Sequence, residues 1–160
     1  MAHPSSTLIT ALLRTATRLR EGAEYQWGHL GMCNCGHLAQ TITARSRREI
    51  HEAALERGGE WADRVREYCP SSGFAIDAII DELLALGLTS GELADLERLS
   101  DDRVLRRLPA ERRHLVHNSR DDVVLYLETW AALLREQLHE QARRNEEAVR
   151  APAPLLERAA

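Results

Sequence analysis

Ser119-Arg-Asp-Asp-Val-Val-Leu-Tyr-Leu-Glu-Thr-Trp-Ala-Ala-Leu-Leu-Arg-Glu-Gln-Leu138 is the stretch that decides the fold. Val123, Leu127, Trp130, Leu134 and Leu138 recur at intervals of three and four, which places their side chains on one face of an α-helix. The pattern predicts a helix from near Ser119 to about Val149. Beyond it, Pro152 and Pro154 in an alanine-rich end predict a disordered tail over 151–160, after one domain over 1–150.

The same period recurs upstream. Leu8, Ile9, Leu12, Leu13, Ala16 and Leu19 share a face over Thr7 to Arg20, with Ser5, Ser6 or Thr7 available to cap it. The segment carrying Phe74, Ile76, Ile79, Ile80, Leu83 and Leu84 is the most apolar and ends at Gly87. With the C-terminal helix it is expected to form the centre of the bundle. Ser46 with Glu49, and Thr89 with Glu92, have capping-box spacing, in which a hydroxyl and a carboxylate three residues apart satisfy each other's backbone amides. Gly58 is the expected stop of the Ser46 helix. Two turns over Glu60 to Tyr68 should end at Pro70, and Ser100 should cap a short helix that ends before Pro109.

Alternating β-branched runs and Asn-Gly or Asp-Gly hairpin turns are absent. Only 4% of the residues are aromatic, so the core must be built from Leu, Ile, Val and Ala. The expected fold is therefore all-α: a single-domain bundle of about seven or eight helices, several short.

Composition narrows the chemistry. The chain has 160 residues, 44% hydrophobic and 29% charged, with a formal net charge of −4. All 21 basic residues are Arg, which excludes Schiff-base catalysis and a phosphate-loop lysine. A net negative domain is a poor polyanion binder, so no nucleic acid is expected. No apolar run is long enough to span a bilayer and no signal pattern opens the sequence; a cytoplasmic protein with no membrane association is expected.

One segment exceeds what a plain bundle requires. Between Gly22 and Gly36 the helical period is lost, and a loop is expected, with a helix resuming near His37. Trp27-Gly-His-Leu-Gly-Met-Cys-Asn-Cys-Gly-His37 brings together His29, Cys33, Cys35 and His37, side chains that bind zinc and related transition metals. One residue, Asn34, separates the cysteines, so joint ligation needs a turn there. Four ligands this close together strain to surround one ion, and Cys69 and His51 are candidates to complete the shell. The expected site is therefore His29, Cys33, Cys35, His37 and Cys69, holding zinc or a similar ion in a structural or regulatory role. The plainer alternative is that the cysteines are small buried hydrophobes in a glycine-rich turn.

Cys69-Pro-Ser-Ser72 is similar to the active-site pattern of one-cysteine glutaredoxins. That fold surrounds the cysteine with strands, which this sequence does not predict, and the family is not assigned. A thiol near a helix N-terminus can nevertheless be activated, so a redox enzyme or sensor using Cys69 with Cys33 or Cys35 is the alternative function. A helical adaptor that binds an unidentified protein partner is the third. Glu111 with His114, and Glu136 with His139, have the Glu-x-x-His spacing of di-iron bundles. The second pair lies away from the apolar stripe and the first in a short polar stretch, so no di-iron centre is expected.

Overall fold

A computed structural model describes residues 2–27, 31–50 and 77–150. Helix α1, Ser6–Arg20, starts where the Ser5 side chain accepts a hydrogen bond from the Leu8 amide at 3.2 Å. Its buried face carries Leu8, Ile9, Ala11, Leu12, Ala16 and Leu19. Gly22, at φ 100°, turns the chain away from the helix end. Helix α2 is Asn34–Thr43, α3 is Asp77–Ala85, α4 is Ser90–Arg98, α5 is Asp102–Leu105, and α6 is Arg120–Arg150. A 3-10 turn, Ala110–Arg112, follows Pro109. Residues 47–50 are also helical, and no strand occurs among the described residues. The fold is all-α.

Among the described residues the principal pair is α1 with α6, rather than α6 with α3, the described part of the Phe74 segment. The two run antiparallel: Arg20 pairs with Glu128, while Ala2 to Pro4 lie beside Gln137, Glu140 and Arg144. Val123, Tyr126, Leu127, Trp130, Ala131 and Leu134 of α6 join the apolar face of α1 in one core. The correction has a simple cause. Apolarity ranks the Phe74 segment first, but α1 offers a longer stripe matched to that of α6, and contact scales with matched length. Phe74, Ile76 and the Glu60–Tyr68 turns lie outside the described residues, as do Gly58 and the tail over 151–160; α3 packs on α2.

Both capping boxes form. Thr89 Oγ1 accepts from the Glu92 amide at 3.2 Å while Glu92 accepts from the Thr89 amide at 3.0 Å. Ser46 and Glu49 do the same at 3.2 and 2.7 Å. The cap of α5, however, is Asp101 rather than Ser100. Leu99 adopts the left-handed conformation at φ 54°, which folds Ser100 back onto α4, where its hydroxyl lies 2.8 Å from Asp95 Oδ1. Asp101 is then the residue whose carboxylate meets the Arg103 amide, at 2.8 Å. Burial opposes ionisation of Asp101, but hydrogen bonds from Arg103, one of them at 2.5 Å, outweigh it and hold the carboxyl below its ordinary range. The Tyr126 hydroxyl accepts from the Asp101 amide at 3.3 Å, tying this corner to α6.

Candidate functional site at the start of α2

The chain leaves α1 at Glu21 and re-enters a helix at Asn34, not near His37 as expected. Cys33 is the N-cap, Cys35 and His37 lie within the first turns, and Gly36 is helical. Nothing local makes this a strong helix start. The Cys33 side chain forms no capping bond, and the sequence Asn-Cys-Gly-His has low helix propensity. The missing cap comes from far away: Glu97 of α4 accepts a hydrogen bond from the Cys35 amide through Oε2 at 3.2 Å. In return Asn34 Nδ2 lies 3.2, 3.0 and 3.3 Å from the carbonyl oxygens of Leu96, Glu97 and His117. Two of those carbonyls belong to the last turn of α4, where helical partners run out. The start of α2 and the end of α4 thus cap each other with buried side chains: Asn34 is 0% and Glu97 2% exposed.

Tyr25 closes this arrangement from the connecting segment. Its hydroxyl lies 2.7 Å from Asn34 Oδ1 and 2.6 Å from the His117 carbonyl oxygen, so one proton serves two acceptors. Burial raises its pKa, and the charges of Glu97 and then Cys33 raise it further, which places all three in one electrostatic neighbourhood. The Tyr25 ring stacks on that of His37 at 6.1 Å between centroids. Outside it, Trp27 and His117 meet at 4.4 Å.

His37 is buried, at 2% exposure. Nε2 lies 3.0 Å from the Glu24 carbonyl oxygen, which has no proton to give, so Nε2 carries the hydrogen and donates. Nδ1 is then left with its lone pair, and it has no hydrogen-bond partner. Burial holds the ring's pKa below its ordinary value, against the Glu24 carbonyl, which favours the charged form, and with the help of nearby Arg18. The neutral imidazole is the form set up here.

The expected ligands divide. Cys33 and His37 are four residues apart, and the His37 amide donates to the Cys33 carbonyl at 2.9 Å, so they are neighbours along one side of α2. Cys35, two residues from each, points elsewhere: its thiol donates to the Leu93 carbonyl of α4 at 3.2 Å. Cys33 is buried and Cys35 half-buried. His29, Cys69 and His51 lie outside the described residues. Among the described residues, no three His, Cys, Asp or Glu side chains converge as a metal-holding group. Glu136 pairs with Arg107 at 2.7 Å, and Glu111, His114 and His139 are exposed, so neither Glu-x-x-His pair faces the core.

The glycines serve a crossing. A Cβ on Gly36 would fall 2.6 Å from both the carbonyl carbon and Cα of Gly31, so the connecting segment lies directly on α2 at a point where only glycine fits. The Gln40 side chain donates to the Gly31 carbonyl and holds it there. Gly36→Ala is expected to destabilise the protein by about 1–3 kcal/mol, because backbone atoms must move. Helix propensity alone gives the opposite sign, a gain of about 1 kcal/mol. Urea denaturation of the two forms decides between the signs.

Asn34, Glu97 and Tyr25 were not legible as site residues. Glu97 has no special spacing within its own helix, and its partner lies 62 positions away. The only local signal was that a polar Asn sits between two cysteines. No family model matches this chain, and no significant match to it was found among curated proteins or solved structures. Among the described residues no helix is long and apolar enough to cross a membrane.

Proposed function

We propose that the start of α2 is one wall of a transition-metal site, for zinc or a similar borderline ion, in which Cys33 supplies a thiolate and His37 supplies Nδ1. His29, Cys69 and His51, which lie outside the described residues, are the candidates for the remaining ligands. The observation that carries this is the state of His37: a buried imidazole whose Nε2–H is committed to the Glu24 carbonyl and whose Nδ1 lone pair has no partner. Metal-bound histidines have this disposition, because the outer hydrogen bond fixes the tautomer and aims the other nitrogen. Cys35 is left out of the shell, since its thiol is occupied by the Leu93 carbonyl. The ion's role is structural or regulatory: it ties the segment between α1 and α2 to the helix that receives it.

Thiol redox chemistry is favoured less. At the start of α2 the Glu97 carboxylate already holds the Cys35 amide, one of the amides that would stabilise a thiolate of Cys33 or Cys35, while Cys69, the attacking thiol of that reading, lies outside the described residues. Cys35, as a donor, is protonated.

Full-length protein purified without a metal-affinity tag should carry near-stoichiometric zinc by elemental analysis, and a chelator should lower its melting temperature. Cys33→Ser and His37→Ala should each abolish the chelator effect, whereas Cys35→Ser should keep it. Metal-free protein whose melting temperature does not respond to added zinc would refute the proposal.

A further inference from the structure

Glu97 presents a second orphan acceptor beside the first. Its side chain is 2% exposed, Oε2 is held by the Cys35 amide, and Oε1 is buried with no hydrogen-bond partner. Neither protonation state satisfies it. An ionised carboxylate needs a counter-charge, and the Arg side chains that form ion pairs among the described residues pair with other acids. A protonated one needs an acceptor for its hydrogen, and none is within reach. Leaving such a group unpaired costs several kcal/mol. Its position is no accident of packing, because the hydrogen bond to Cys35 fixes it over the first turn of α2, the turn that carries Cys33 and His37. His37, whose ring stacks on Tyr25, and Glu97, whose charge acts on the Tyr25 hydroxyl, thus each keep one buried lone-pair atom without a partner.

We infer that Glu97 is the acidic positioning residue of the α2 site: it holds the ligand-bearing turn through Oε2 and supplies through its charge the negative potential that a divalent cation balances. The inference rests on the metal proposal above and adds a residue from α4 to it. Charge arithmetic favours a divalent ion over a monovalent one. A Cys33 thiolate and a Glu97 carboxylate together carry two negative charges, and the neutral imidazole of His37 adds none.

The experiment compares wild type with Glu97→Gln, both as full-length chains stripped of metal and titrated with zinc chloride. Gln keeps an oxygen for the Cys35 amide and removes the charge. Zinc affinity should fall by about 10–100-fold, the range typical of outer-shell carboxylates. In the metal-free state the variant should melt at or above the wild-type temperature, because an uncompensated buried charge has been removed. Equal zinc affinity in the two proteins would overturn the role of Glu97 while leaving the metal site standing. A metal-free variant that melts below wild type, or does not fold, would identify Glu97 as a helix cap alone and also overturn it. Wild type that takes up no zinc would remove the site itself.

Discussion

Trp130→Ala should cost about 3–5 kcal/mol in urea denaturation, the largest loss expected from any single truncation in this chain. Trp130 is 2% exposed and lies on the α6 face that packs against α1, with the ring of Tyr126 edge-on at 6.2 Å. Removing the indole therefore deletes apolar surface at the longest helix pair and strips Tyr126 of its aromatic neighbour. Tyr126 also accepts the Asp101 amide, so the damage should spread to the corner around Arg103. Helicity by far-UV circular dichroism should fall with the same midpoint as tryptophan-independent probes. A loss under 1 kcal/mol would mean that the α1–α6 seam is not the main source of stability.

Asn34→Ala should follow closely, at about 3 kcal/mol, although it removes no apolar surface worth counting. Its effect comes from what it leaves behind. The Glu97 carbonyl loses the Asn34 donor at 3.0 Å, the Leu96 carbonyl is left with only the long 3.4 Å bond from the Leu99 amide, and the Tyr25 hydroxyl is left with the His117 carbonyl alone. Each abandoned buried polar group costs about 1–3 kcal/mol. Asn34→Asp should be worse still, because it replaces donors with a charge facing three carbonyls. Hydrogen exchange of the α2 amides tests the location: in Asn34→Ala they should exchange faster before those of α1 do. Unchanged protection in α2 would show that the mutual caps contribute nothing.

These two positions differ in how far the sequence exposes them. Trp130 was readable because its neighbours on the helix face, Leu127 and Leu134, lie within a few residues of it, and period alone reveals a face. The capping boxes at Ser46 and Thr89 were readable for the same reason: donor and acceptor sit three residues apart. Asn34 and Glu97 satisfy each other's helices across 63 positions, a relation that no local window contains. That is also why the start of α2 was misplaced. A glycine, two cysteines and a histidine look like a loop when only propensity is weighed, and the helix there is held by a residue of α4. The cysteines and histidines themselves stood out, but the separation of Cys35 from Cys33 and His37 depends on a carbonyl at Leu93 that spacing cannot supply.

Helix α6 changes character along its own length. At about 1.5 Å per residue its 31 residues extend about 46 Å, and every side chain from His139 to Arg150 is exposed. Its last three turns, about 18 Å, begin beside Ala2 to Pro4 at Glu140, Gln141 and Arg144 and run on exposed to Arg150. With so little apolar surface there, these turns are held by the backbone ladder and by pairs such as Arg144 with Glu140, so they should fray before the turns that carry Trp130 and Leu134.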